Sequence, residues 1–520
     1  MDRRAWPWIA AALVVLIFVA QLWAYFAQAY YAGIDEATYF LTAKSMVVHH
    51  SPEVISPDPL IFVPGNMNEI RPGFFVQKYP IGFPLLVAIG YQVGGQLGAF
   101  LVNPALGCIA LLAAMAVTWE LAGAWPAVLV GLVLALHPLM VSYSIAALSH
   151  MSDLACVVAG LWCLWRWGKR GGIGWSITAG MLLGYAVSIR YTEALMGLVV
   201  VWVAGCRLVI TPRRAVFRDV GIMTMAGLVA LIPLLVFQWR YYGSPFHTGY
   251  GLTGESTAFS WHFFRQHVGM VLGGINEPGY GLPGLFPIAL VGFVVWLVML
   301  ARNKPTEGSG IMPAGFLFLW IVPSLLLYVA YYWSAPEPTL YMRLFLIPYV
   351  GLTIAAIVVL ERVTRHRIWL QAGIAVAIVG TTLLGRYWSE ADALLLQNAT
   401  LNWTEKEGAD VARAVVPPDA VLIGDDWMAF DLVFAVDNLI IFPRYFDADW
   451  VAQRLAAAGR GGPQEFNALR AKRFLPLLAG RNQAQLDELF RQEIRRKLDE
   501  GKMVALLTTD LTPHGQVDRK

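Results

Sequence analysis

Long apolar runs recur along this chain from residue 8 to residue 386, separated by short polar turns, and then stop. A helix crosses the hydrocarbon of a bilayer with about 20 predominantly apolar residues. Eleven runs approach or reach that length: 8–29, 102–122, 126–146, 151–168, 173–191, 194–210, 219–239, 284–301, 314–333, 342–360 and 368–386. Residues 80–98 are apolar too and end in Gly94-Gly95. Counting them as a span would force the basic loop at 166–170 outward, so they read as a re-entrant or interfacial helix, with a hidden extra crossing as the alternative. From Arg386 the pattern turns mixed and charged. It predicts a small α/β domain over 387–520, with strands at 420–424, 438–442 and 503–507 and helices near 447–458 and 483–500.

The composition agrees with the pattern. Of 520 residues 58% are hydrophobic and only 14% charged, with a mean hydropathy of +0.57, which excludes an ordinary soluble globular protein. The expected architecture is an α-helical polytopic membrane domain over 1–386, followed by the tail. Arg3 and Arg4 precede the first run, which lacks a small-residue cleavage site and reads as a retained anchor. Further basic clusters fall at Arg166, Lys169 and Arg170, at Arg207, Arg213, Arg214 and Arg218, at Arg302 and Lys304, and at Arg362, Arg365 and Arg367. The positive-inside rule assigns these loops to the cytoplasm. Asp35, the loops 241–283 and 334–341, and the tail are then extracytoplasmic, as in a bacterial inner-membrane protein. The net charge of +3 is spread over loops, so no nucleic-acid partner is expected. Cys108, Cys156, Cys163 and Cys206 lie within apolar runs without metal-like spacing and read as small buried residues. Asn398 and Asn402 fit a glycosylation sequon that is frequent by chance.

Chemistry-bearing residues collect on the side opposite the basic loops. The first run is followed by Asp35-Glu36, two adjacent acids where the chain leaves the bilayer. A charge at the centre of a membrane helix costs about 2.5–3.5 kcal/mol on insertion scales, so such acids face water, a cavity or a partner. Asp35 also suits the start of the helix expected over 37–48, and the two roles are compatible. A proline-broken polar loop, 51–77, leads into Lys78-Tyr79-Pro80, where Lys78 either snorkels to the interface or meets an anionic ligand. The next outward turn is Ser149-His150-Met151-Ser152-Asp153. Its serines and Asp153 are candidate helix caps, and Asp153 is a further acid on the Asp35 side. Arg190 and Glu193 end a helical hairpin, either as an internal ion pair or as cavity lining. Arg240 to Tyr250 open the largest loop, Glu277 stands near its end, and Tyr341 and Arg343 open a late run. Tyr39, Tyr250 and Tyr341 suit either an interfacial belt or a platform for sugar rings. Lys78, Arg240 and Arg343 run against the charge trend of the loops and are candidate anion binders. His150 has no partner histidine at ligand spacing; the sequence demands no cofactor and leaves room for a divalent cation. Asp425-Asp426-Trp427 after the first tail strand reads as a turn in preference to a site.

Acids and cations at one membrane face suit transfer of a sugar from a lipid phosphate carrier. A polyprenyl phosphate leaves well once Lys or Arg neutralises it. The acceptor hydroxyl gains from a base. An Asp with an ordinary pKa of about 3.9 can take that proton late, as the bond forms to an oxocarbenium-like carbon. One carboxylate then suffices for inverting displacement, and a neighbouring acid orients the acceptor or tunes the first. A membrane transporter or lipid flippase for an anionic lipid-linked substrate is the alternative, and an inactive homologue acting as scaffold a third reading. The hydropathy pattern shows no internal repeat of the kind transporters carry.

The order of Asp35-Glu36, Lys78-Tyr79-Pro80, Ser149 to Asp153, Arg190, Gly243-Ser244-Pro245, Thr248-Gly249-Tyr250 and Tyr341-Met342-Arg343 resembles the GT-C superfamily over residues 1–386. It is most similar to the dolichyl-phosphate-mannose protein mannosyltransferases and the bacterial lipid A aminoarabinose transferases. The resemblance implies about eleven membrane helices with external juxtamembrane helices, a polyprenyl-phosphate sugar donor, a membrane-lipid setting and inversion at the anomeric carbon. It carries the catalytic acid to Asp35, with Glu36 beside it, a later-loop acid to Asp153, and the carrier-phosphate cations to Lys78 and Arg343, with Arg240 added from its place. Tyr39, His150, Arg190, Tyr250, Glu277 and Tyr341 are the expected substrate pocket. Lys-Tyr-Pro-Ile at 78–81 departs from the lysine and paired prolines of the aminoarabinose transferases, and the long central sugar-binding domain of the eukaryotic mannosyltransferases is missing. The acceptor, the sugar and the oligomeric state stay unassigned.

Overall fold

The computed structural model describes residues 6–25, 34–56, 58–253, 259–273, 311–334, 343–364, 367–388, 414–417, 419–424, 439–459 and 468–507. The expected run at 284–301, the sequons, Asp425 to Trp427, Glu277 and Tyr341 lie outside these residues.

The chain is a mostly helical, multi-pass membrane protein. The helices of its apolar stretch are α1 (Trp6–Tyr25), α3 (Gly82–Ala122), α4 (Ala124–Leu136), α5 (Pro138–Ile145), α6 (Ser149–Arg170), α7 (Ile173–Ile189), α8 (Met196–Ile210), α9 (Arg213–Tyr242), α12 (Ile311–Val329), α13 (Leu346–Thr364) and α14 (Ile368–Trp388). The helices α2 (Ile34–Val48), α10 (Gly249–Thr253) and α11 (Trp261–Gly273) lie between them in sequence. Among the described residues six helices are long and apolar enough to cross a membrane, seven if the bent α4 and α5 pair is one span. α6, whose run holds Asp153 and ends in Lys169 and Arg170, and the 17-residue α7 are not among the six.

Two sequence signals shape this helical set. Gly94 and Gly95 leave helical geometry inside α3, Gly95 at φ 59°, so residues 82–93 form a segment distinct from the span that follows. The single run expected at 126–146 is instead two helices bent by 63°. The reason is Pro138, which disfavours helical backbone at the preceding His137 (φ −75°, ψ 124°). The His137 ring compensates by accepting the Leu139 N–H at 3.2 Å.

Contacts divide the chain into two compact units. The first comprises Met1–Phe26, Val102–Leu234 and Ala258–Gln397. There α6 packs on α7, α1 on α4, and α12 on both α8 and α13. Gly180 and Gly184 let α7 approach α9 so closely that a Cβ at either would lie 2.1 Å or 2.5 Å from a backbone oxygen of Met223 or Gly227. This is the small-residue spacing by which membrane helices pack without a hydrophobic driving force.

The second unit comprises Ala27–Leu101, Leu235–Thr257 and Asn398–Lys520. It holds α2 and a three-stranded antiparallel sheet in the order β1 (Val54–Ile55), β3 (Phe74–Gln77), β2 (Met67–Arg71). Its tail forms a parallel sheet in the order β5 (Leu439–Ile441), β4 (Val421–Gly424), β6 (Val504–Leu507) with helices α15 (Ala448–Gly459), α16 (Ala468–Leu478) and α17 (Gln483–Asp499). All three tail strands fall within the ranges expected from the sequence. The first loop joins this sheet: Ile61 bridges Ile441 antiparallel, and the Phe62 N–H donates to the Ile440 oxygen at 2.7 Å. Leu60, Ile61 and Phe62 are buried in one core with Val421, Ile440, Phe442 and Phe474.

Candidate active site

In the second unit, Asp35 occupies the first turn of α2, where the positive end of the helix favours a carboxylate. Two donors converge on its Oδ1: the Tyr79 hydroxyl at 2.5 Å and the Asn66 amide at 2.6 Å. Charge-assisted bonds of this length are the stronger kind and fix the carboxylate plane. Asn66 also ties Asp35 to the lysine, because its carbonyl accepts the Lys78 N–H at 3.0 Å. The buried Lys78 ammonium stands 5.3 Å from the centre of the Tyr79 ring. Asp35 and Lys78 therefore both approach Tyr79, the one at its hydroxyl and the other at its ring.

The surrounding aromatic side chains are packed, not splayed. Tyr39 meets Tyr79 at 4.9 Å and Phe83 at 5.0 Å, and Tyr250 meets Tyr79 edge-on at 5.8 Å. Burial, and then the charge of Asp35, push the Tyr79 phenol well above its ordinary 10.0, so it remains a hydroxyl donor. Glu36 is buried beside Asp35 in the same turn. The loop after α9 closes on this group: Asn68 donates to the Gly249 oxygen at 3.1 Å, and Tyr242 to the Gln77 oxygen at 2.6 Å. Only glycine fits at 249, where a Cβ would lie 2.4 Å from the Lys78 oxygen. Arg240 is exposed over the Tyr241 ring at 5.5 Å, and no bond described here brings it to Asp35 or Lys78.

The first unit holds a second polar centre. Arg190 donates to His150 Nδ1 at 2.9 Å, approaches Asp153 Oδ2 at 3.7 Å and reaches the Tyr328 hydroxyl at 3.4 Å. Arginine has no acceptor, so the imidazole nitrogen accepts. Glu193 takes the Thr192 hydroxyl at 3.1 Å and the Tyr328 hydroxyl at 3.4 Å. The expected internal pair is thus a larger network in which Arg190 turns to Asp153. Asp153 Oδ1 and Glu193 Oε2 are buried with no hydrogen-bond partner. The capping expectation at 149–153 is corrected: α6 starts at Ser149 with no side-chain cap, Asp153 lies inside it, and Ser152 bonds to Asn103 Oδ1 at 2.7 Å. Arg343 opens a short 3-10 turn leading into α13.

Asn66 and Tyr328 carry bonds that no sequence pattern announces, whereas Tyr79 lies inside a noted stretch without a role and Glu193 is expected only as a partner of Arg190 or as cavity lining. Among the described residues, no group of three His, Cys, Asp or Glu side chains could hold a metal ion.

Solved structures supply the wider frame. ArnT from Cupriavidus metallidurans bound to undecaprenyl phosphate matches 85% of this chain and 86% of its own, at 15% identity and a TM-score of 0.55. The same ArnT in its apo state matches 89% and 90%, at 15% identity and 0.54. The chain has the GT-C fold. Within this GT-C chain, residues 78–239, beginning at Lys78, match the dolichyl-phosphate-mannose-protein mannosyltransferase family model. No curated protein matches the GT-C chain by sequence.

Proposed function

We propose that the protein is an inverting glycosyltransferase that moves a sugar from a polyprenyl-phosphate carrier to an acceptor hydroxyl at the outer face of a bacterial inner membrane. The observation that carries this reading is the Asp35 carboxylate, whose Oδ1 takes the Tyr79 hydroxyl and the Asn66 amide, with the Lys78 ammonium over the same Tyr79 ring. The mannosyltransferase-model match and the ArnT likeness support the donor class, since one of those ArnT structures holds undecaprenyl phosphate. The GT-C fold does not favour the transporter or flippase alternative.

In the proposed step the acceptor oxygen attacks the anomeric carbon as the bond from that carbon to the carrier phosphate oxygen breaks. The phosphate leaves with the electron pair, and Lys78 offsets its charge. The acceptor proton passes to Asp35. The Tyr79 and Asn66 bonds to Oδ1 hold the carboxylate in place for that transfer. Glu36 supports Asp35 from the same turn. Asp153 and Arg343 belong to the other unit and take no part in the step as drawn.

The test is Asp35→Asn in purified enzyme reconstituted with lipid and a polyprenyl-phosphate sugar. Transfer is expected to fall by at least about a hundredfold, with carrier binding and melting temperature retained. Near-normal turnover rejects the assignment. Mass spectrometry of envelope lipids and glycans, from cells with and without the protein, identifies the sugar and acceptor through the product that disappears.

A further inference from the structure

The tail makes a set of contacts with the first loop that glycosyl transfer does not by itself require. Arg470 of α16 is 3% exposed, yet its guanidinium is fully directed: Nη1 donates to the Val63 oxygen at 2.9 Å and Nη2 to the Tyr445 hydroxyl at 2.9 Å. Its plane also lies 5.3 Å from the Phe75 ring of β3 and 5.9 Å from Phe474. One turn along α16, Arg473 pairs with Glu69 of β2, whose Oε1 accepts the Gly73 N–H of the β2–β3 turn at 2.7 Å. At the other end of the segment, Asp58 is gripped by Arg496 and by Lys497, the latter at 3.0 Å.

These contacts bracket residues 58–75, the stretch that carries Asn66. Between Val63, which Arg470 holds, and Asn66, which donates to Asp35, stand only Pro64 and Gly65. The intervening turn is closed by the Met67 N–H on the Pro64 oxygen at 3.1 Å, and proline has a fixed φ. A displacement of the Val63 carbonyl is therefore passed on to Asn66 with little slack.

We infer that Arg470 is a positioning residue: the tail braces the first loop through the Val63 carbonyl so that Asn66, and through it the Asp35 carboxylate, keep their places. The inference deepens the proposed transfer reaction and rests on it for its functional half. It also assigns the tail a task distinct from binding any substrate.

The experiment is a double-mutant cycle with Arg470→Met and Asn66→Ala in the full-length, lipid-reconstituted protein, with amide exchange followed in parallel. If Arg470 acts through Asn66, Arg470→Met lowers kcat about tenfold in the unsubstituted background and no more than about twofold once Asn66 is already alanine. Donor KM is expected to change little in either. Amides at 60–68 are expected to exchange at least about tenfold faster in Arg470→Met, with residues 196–210 unchanged. Arg470→Lys, which keeps the charge on a single nitrogen without the fork that reaches both acceptors, should fall between. If Arg470→Met does not fold, Arg470→Lys and Tyr445→Phe replace it in the same cycle. Equal kcat losses in both backgrounds, or unaltered exchange at 60–68, overturn the inference. If the unsubstituted protein transfers no sugar, the transfer reading fails alone and the exchange result still decides the brace.

Discussion

At the residue scale the informative group is Tyr79. Its hydroxyl gives Asp35 one of two bonds to Oδ1, and burial beside that carboxylate keeps it protonated beyond pH 10. A hydrogen bond to a charged group contributes about 1.5–3 kcal/mol. Tyr79→Phe is accordingly expected to lower kcat by roughly tenfold to a hundredfold, while the packed ring preserves folding. Steady-state kinetics on the reconstituted enzyme check this, and an unchanged kcat removes Tyr79 from the mechanism. Asp35 and Lys78 were legible in the sequence because charged residues flanking apolar runs are costly and so stand out. Asn66 was not. A lone asparagine in a Pro-Gly turn is ordinary turn chemistry, and its partner lies 31 positions away.

At the element scale the first loop depends on charge pairs that titrate. Burial opposes ionisation of Asp58, but the Leu60 N–H, Lys497 and Arg496 outweigh it and hold the carboxyl below its ordinary 3.8. A carboxyl lowered in the folded state binds fewer protons there than in the unfolded chain. Its stabilisation is thus present above about pH 4 and lost as pH falls through the folded value. Amide exchange over 58–63 is expected to accelerate on acidification below about pH 4, and Asp58→Asn should be loose already at neutral pH and nearly insensitive to acid. An unsubstituted loop that stays protected at pH 3 would count against this account. Regular elements were legible wherever a period or a breaker marks them, as with β4, β6 and the Gly94-Gly95 kink. The α4–α5 bend was signalled by Pro138 but hidden in a run whose apolar residues continue unbroken across it.

At the scale of the whole molecule, composition shows where polarity changes but not which segments share a core. The break at Arg386 separates an apolar stretch from a mixed one, whereas contacts group Asn398–Lys520 with Ala27–Leu101. No local pattern encodes that grouping, since Ile61 and Ile441 pair across most of the chain. The pairing bears on what the tail is for. Leu60, Ile61 and Phe62 are covered by tail residues, and burying three such side chains is worth roughly 4–9 kcal/mol, comparable with the stability of a whole domain. A tail serving only as a separable cover would leave the loop intact when removed. A core shared between loop and tail predicts otherwise: deleting 398–520 should leave the helices inserted, make residues 51–80 sensitive to protease, and abolish transfer together with the protection of that loop. Limited proteolysis and a transfer assay on the same preparation distinguish the two, because a truncated protein with a protected loop and undiminished turnover is compatible only with the cover.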